Sequence, residues 1–253
     1  MFNSALLKIK RAEKHIDDLR RAFNQFVSTQ EHKLCVTNDP KTGELLFEVR
    51  FNRSIPPDLA LIAGDAIHNL RTALDHATWE LVGIDGGVQD RNLAFPAGRT
   101  RSDYESACNE IETPRDDTKK FLLSLAAYPG GSSQHLYGLR ALDNLDKHQI
   151  LTPIIGATRI GRFEIVHPDG KKIVTMENCS FSVDEDGRAR MVGSGPGYTI
   201  RFDQNEKISF DMFFGHVDFF RMVPLIDTLE ELRITISNVV DQFDELVRGR
   251  TWC

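Results

Sequence analysis

Residues Ile62–Val82, IAGDAIHNLRTALDHATWELV, carry the pattern on which the fold turns. Ile67, Leu70, Ala73, Leu74, Ala77 and Leu81 recur at helical spacing and form one apolar face. On a helix, Asp65, His68, Arg71, Thr72, Asp75 and His76 collect on the other side. That polar face carries no Lys and no Glu. It gathers two histidines, two aspartates and an arginine, groups suited to protons, phosphates or metals. A second stretch, LRALDNLDKHQ at Leu139–Gln149, sets Asp143, Asp146, Lys147 and His148 among leucines. The two helices are expected to face each other and to define the site.

Outward from that core, residues 4–32 predict a long amphipathic helix. Ile9, Ala12, Ile16, Leu19, Phe23 and Phe26 alternate spacings of three and four, the seam of a lengthwise-packed helix. Its charged remainder reads first as a solvated face, and otherwise as a surface for RNA or a partner. A hairpin at 34–52 follows, with Leu34–Thr37 and the alternating Leu45, Phe47, Val49 and Phe51 around a polar turn at 38–43. Pro56-Pro57 opens the central helix, and the glycines at 83, 86 and 87 close it. Phe95-Pro96-Ala97-Gly98 reads as an apolar turn. Ser102 and Glu105 have capping-box spacing and predict a helix over 103–112. A short helix is expected at 119–127. The serines of Pro129–Ser133 are placed to cap the helix at 134–148.

From 152 the period changes. Strands are expected at 163–167, 173–181, 188–192, 198–202 and 208–214, separated by the turns PDGKK, VDEDG, GSGPG and DQNEK. They predict an antiparallel meander packed on one face, which the hairpin could join. A last helix over 218–248 repeats the first helix's seam through Leu229, Leu232, Ile236, Val239, Phe243 and Leu246. The expected fold class is α+β in a single domain, 1–253. A bundle from 4–32, 57–150 and 218–248 carries the hairpin and an antiparallel β insertion at 152–215.

The formal net charge of −6 gives no global field that would attract nucleic acid or an anionic membrane. No apolar run approaches the about 18 residues of a membrane span. Cys35, Cys108, Cys179 and Cys253 are scattered without a CxxC pair, the pattern of reduced thiols, so a soluble cytoplasmic protein is expected. The chain lacks the GxxxxGK[ST], HExxH and GxSxG motifs and the dinucleotide fingerprint. The GSGPG at 193–197 is therefore read as a turn rather than a phosphate loop.

What remains is Arg71-Thr72-Ala73-Leu74-Asp75-His76, an arginine followed five residues later by a histidine on a bundle helix. It resembles the RxxxxH signature of the HEPN superfamily, all-helical proteins that include metal-independent ribonucleases of toxin and phage-defence systems. The resemblance implies a homodimer acting on RNA, with no cofactor and no metal. Arg71 would stabilise the scissile phosphate, and His76 would activate or protonate the RNA oxygens. The chemistry suits the groups: a guanidinium fork matches phosphate, and imidazole titrates near neutrality. His68 and Asp75 are assigned to the same catalytic set, with Asn69, Asp143, Asp146, Lys147 and His148 supporting it. More loosely, HNLRTALDH and LDNLDKH look like stretches of uncharacterised bacterial and phage proteins.

Two other readings compete. In the first the chain is a non-enzymatic interaction protein, and the cluster is an ionic network that fixes helix register. Arg71 would then pair with Asp143 or Asp146, and Asp75 with Lys147. In the second, His68, Asp75 and His76 join Asp143, Asp146 or His148 around a divalent ion. His15, His32, His135, His167 and His216 stand alone and read as surface or core residues. Trp79, on the side of His68 and Asp75, belongs either to the core or to a pocket wall where it could stack a base. Gly130–Ser133 could hold an anion at a helix start, or be an ordinary loop.

Overall fold

The computed structural model describes residues 1–184, 186–191, 196–202, 207–215 and 219–250. Its fold class is α+β. The chain divides into two compact units: Met1–Arg20, Ala60–Leu151 and Asp227–Cys253 form one, and Arg21–Leu59 and Thr152–Ile226 the other.

The first unit is helical. Most of α1 (Asn3–Thr29) belongs to it, with α2 (Pro57–Ile84), α3 (Arg101–Asn109), α4 (Asp116–Leu125), α5 (Gln134–Asp146) and α6 (Leu225–Arg248). The seam of α1 is buried at Ile9, Ala12, Ile16 and Leu19, and that of α6 at Leu229, Leu232, Ile236, Val239 and Phe243. Val247 is buried in α6 and Leu246 only half so. Phe2 meets Phe243 edge to face, while Glu13 lies opposite Arg233, so α1 and α6 run antiparallel. In α2 the whole expected apolar face is buried, together with Ala63, Ala66 and Val82. So many alanines let neighbouring helices come close. One such approach is at Gly64, where a Cβ would stand 2.5 Å from Asp146 Oδ2. With His68 on Asp143 further along, α5 faces α2, as expected, and runs antiparallel to it.

Four helix ends differ from expectation. The largest difference is that α6, expected from 218, begins only at Leu225, because the described residues just before it form turns and a bridge from Pro224 to Phe213. Thr100, not Ser102, caps α3, with Asp103 closing the capping box, because Asp replaces the usual Glu or Gln at the third position. The following helix, α4, begins earlier, with Asp116 and Asp117 in its first turn, and ends where Ala126 turns left-handed without a glycine (φ 50°). Ser133 precedes α5 but makes no side-chain cap; Ser132 Oγ donates instead to the Leu125 carbonyl.

The second unit holds two sheets rather than one meander. β1 (His32–Asn38) and β2 (Leu45–Phe51) form the hairpin, whose turn places Gly43 at φ 74°. β2 then pairs with β5 (Arg188–Met191) in a three-stranded sheet of order β1-β2-β5. The other sheet is built on β3 (Pro153–Val166), the longest strand. β4 (Lys172–Ser180) lies along one of its edges. β6 (Thr199–Phe202) and β7 (Ile208–Phe214) follow one another along the other. The meander expectation missed the first half of β3, PIIGATRI, which pairs with β7. That half is buried nearly throughout, so it lacks the alternation by which strands are read. A core of Phe47, Ile160, Phe163, Val183, Ala189 and Phe213 joins the sheets. The expected turns VDEDG, GSGPG and DQNEK fall wholly or partly outside the described residues, as do His216 and Cys253.

Candidate functional site

The polar face of α2 resolves into three groups, all within the helical unit. The first is centred on Arg71, which is 6% exposed. Its Nη2 donates to the Phe95 carbonyl oxygen at 2.9 Å and stands in an ion pair 2.8 Å from Asp75 Oδ1, one turn on. The same Asp75 oxygen accepts the Phe95 backbone N–H at 2.9 Å. An (i, i+4) pair on α2 thus holds both backbone polar groups of one loop residue, as a neighbouring strand would. The guanidinium also stands 5.9 Å from the Phe95 ring centroid. Nη1 is buried without a hydrogen-bond partner. Burial pushes the Arg71 guanidinium below its usual range, with Arg140 adding to the shift and Asp75 and Asp143 opposing it.

The second group bridges α2 and α5. Asp143 is 3% exposed, and its two oxygens are both taken: Oδ1 lies 2.9 Å from His68 Nδ1, and Oδ2 2.5 Å from Lys147 Nζ. His68 Nε2 comes within 3.4 Å of Thr72 Oγ1, and the ring is half exposed. Asp146 lies against Gly64. Burial, then Asp143 and Asp65, raise its carboxyl above the ordinary range. The partners differ from those expected: Arg71 takes Asp75 rather than Asp143 or Asp146, and Lys147 takes Asp143 rather than Asp75. In each case the (i, i+4) partner on the same helix is the nearest oxygen, at no cost in tertiary ordering.

The third group centres on His76. It lines a cavity of about 760 Å³ with Ser4, Asp75, Trp79, Glu80, Gly83, Ile84, Gln89 and Leu93. Arg71 lines a different cavity, of about 530 Å³, where α5 contributes Arg140, Asp143, Asn144 and Lys147. Five residues place two side chains about 140° apart round a helix, so within one chain Arg71 and His76 do not converge. Asp75 touches both spaces.

Among the remaining expected residues, Asn69 donates to the Asp65 carbonyl of its own helix. His148 is exposed, beyond the end of α5. The mixed His/carboxylate set does not assemble: among the described residues no group of three or more His, Cys, Asp or Glu side chains could hold a metal ion. Lys147 stands where a cation would neutralise Asp143. In the loop before α5 the Gly130 N–H donates to Gln134 Oε1 of its own following helix. Buried Cys108, whose thiol burial pushes up to about 11, stays protonated and is no nucleophile. Sequence reading missed Phe95, Glu80 and Arg140, which lie in an apolar turn and on helix faces with no chemical pattern around them. Arg140 Nη1 donates to the Ala97 carbonyl, fastening the same loop from α5.

No helix among the described residues is long and apolar enough to cross a membrane. No family model, curated protein or solved structure matches the chain.

Proposed function

We propose that this chain is a binding protein whose Arg–Asp–His cluster is scaffold rather than a cleavage centre. The observation that carries this reading is the closure of Arg71 and Asp75 on both backbone groups of Phe95. That closure fastens the loop whose Gln89 and Leu93 wall the larger cavity. The cluster thereby shapes a preformed space, to which it presents Asp75 already paired with Arg71. A cavity of this size is within the ~300–1,000 Å³ usual for small-molecule sites.

Metal-independent RNA cleavage by a homodimer in phage defence is the second reading. The unpartnered, buried Nη1 of Arg71 favours it, since that nitrogen lies on a residue lining a space shared with Arg140 and Lys147. A two-fold partner would then have to bring its own His76 to that space.

A cleavage assay on total RNA in EDTA separates the two. It compares wild type with Arg71→Lys and His76→Ala, both checked for a cooperative melt. The scaffold reading expects no cleavage in any of the three. Cleavage that survives EDTA and is lost in both variants would overturn it and establish the ribonuclease.

A further inference from the structure

The 760 Å³ cavity is lined in a way that specifies the charge of its occupant. Trp79 stands on its wall, 40% exposed, an unusual position for the largest apolar side chain beside a space of this size. Leu93 and Ile84 add apolar surface. The Gln89 amide folds back against α2, where Gly83 leaves room for it, and donates to the Trp79 carbonyl at 2.8 Å. The His76 ring makes no hydrogen bond among the described residues and remains available.

Two carboxylates reach this space, and no Lys or Arg lines it. Asp75 is already matched by Arg71. Glu80 is not: Oε1 accepts the Phe2 backbone N–H at 2.6 Å, and no cationic side chain meets it among the described residues. The cavity therefore has one carboxylate without an ion-pair partner among the described residues, beside a partly exposed indole. A positive group satisfies both at once, by attraction to Glu80 and by cation–π contact with Trp79. An anionic ligand would instead bring its charge to a carboxylate in a partly desolvated site.

We infer that the cavity bounded by His76, Trp79, Glu80 and Gln89 is a binding site for a small organic cation with a planar apolar body, such as an arylalkylamine. The inference rests on the binding-protein reading only in taking this cavity as the working site. It separates this cavity from the neighbouring one, where Arg71, Arg140 and Lys147 stand among five carboxylates and acid and base are already mixed.

The test uses the full chain carrying Trp252→Phe, which leaves Trp79 as the one tryptophan of the two in the sequence. 2-Phenylethylamine and 3-phenylpropionate, similar in shape and opposite in charge, are titrated against Trp79 fluorescence, with adenosine monophosphate as a third probe. The expected result is a saturable change with the amine at an affinity about tenfold above that of the acid. In Glu80→Gln, which keeps an acceptor for Phe2 N–H, that preference should largely vanish. Calorimetry on Trp79→Leu, with the fold checked by its melt, should show the amine's affinity lost. No saturable change with the amine, equal affinity for both phenyl probes, tighter binding of the nucleotide, or a preference intact in Glu80→Gln would each overturn the inference. A chain that cleaves RNA and still prefers the amine would remove the binding-protein reading and leave this one standing. A chain that does neither would do the reverse.

Discussion

Two buried arginines in the helical unit are arranged to opposite effect. Arg250, whose side chain is 4% exposed, joins elements far apart in sequence, and each nitrogen of its fork has a partner. Nη1 donates to Asp85 Oδ1 at 2.6 Å, Nε to Asp117 Oδ2 at 2.9 Å and Nη2 to Thr118 Oγ1 at 2.6 Å. The second oxygen of Asp85 accepts from Thr113 Oγ1 at 2.8 Å. Arg71 uses one nitrogen both for its hydrogen bond to Phe95 and for its ion pair with Asp75, and leaves Nη1 buried with no partner. A network with every group satisfied rigidifies and does little else; one with an open donor keeps a place for something further. The first is a knot tying the ends of α2 and α4 to the segment after α6. The second is a clasp on a loop, beside a cavity.

The sharpest way to break this contrast is to cut both. Arg250→Ala strands Asp85, whose side chain is 0% exposed, with an uncompensated charge. Removing one partner of such a pair costs about 3–5 kcal/mol. Urea unfolding should show that loss as a lower midpoint, the largest of the changes considered. Arg71→Ala leaves Asp75 with its Phe95 N–H bond and 30% side-chain exposure, and it also removes the unsatisfied Nη1. Its expected cost is about 1–3 kcal/mol. If Arg71→Ala proves as damaging as Arg250→Ala, the clasp is as closed as the knot and the distinction fails.

The Arg71 region was legible in the sequence and the Arg250 knot was not, for a physical reason. Helical periodicity puts Asp65, His68, Arg71 and Asp75 on one face whatever else the chain does, so their company is written in the spacing. Nothing local ties Arg250 to Asp85, Asp117 and Thr118; only the packing of distant segments does. The same divide runs through the fold. Long amphipathic helices announced themselves, and α1, α2, α5 and α6 fall close to where their seams placed them. The sheets did not. β5 leaves its sequence neighbours to pair with β2, and the first half of β3 is mostly buried and has no clean alternation to read. Within the site, (i, i+4) partners won over the cross-helix pairs expected of Arg71 and Lys147. Asp143 does cross to the other helix, but onto His68 rather than Arg71.

Gly64→Ala tests how closely α2 and α5 must approach. The new Cβ would lie 2.5–2.7 Å from the carboxyl atoms of Asp146, closer than atoms tolerate, so the carboxylate or a helix must move. Better helix propensity returns about 1 kcal/mol, against an overpacking cost of about 1–3 kcal/mol. A net loss of stability of order 1 kcal/mol is expected. Because the obstacle is the end of one side chain, the double variant Gly64→Ala/Asp146→Ala should recover most of it. Additive losses in that thermodynamic cycle would place the conflict in the backbone instead.

The smallest effect belongs to the charge of Asp146 itself. Burial and the nearby Asp143 and Asp65 raise its carboxyl above the ordinary aspartate range, with His68 pulling weakly the other way. A raised carboxyl means that the folded chain holds its proton to higher pH than the unfolded chain does. Between the ordinary aspartate pKa and the raised one, the folded state binds more protons, so this group's contribution falls as pH rises through that window. Above it the ionised carboxylate is a standing penalty; below the unfolded pKa it contributes none. Asp146→Asn should therefore be slightly more stable than wild type at neutral pH, and the gain should shrink to nothing on acidification. Melting the two proteins side by side from pH 7 down to pH 3 reads this directly. A variant less stable at neutral pH, with a deficit growing as pH rises, would mean that the carboxylate has a cationic partner, and that α5 is held to Gly64 by charge rather than in spite of it.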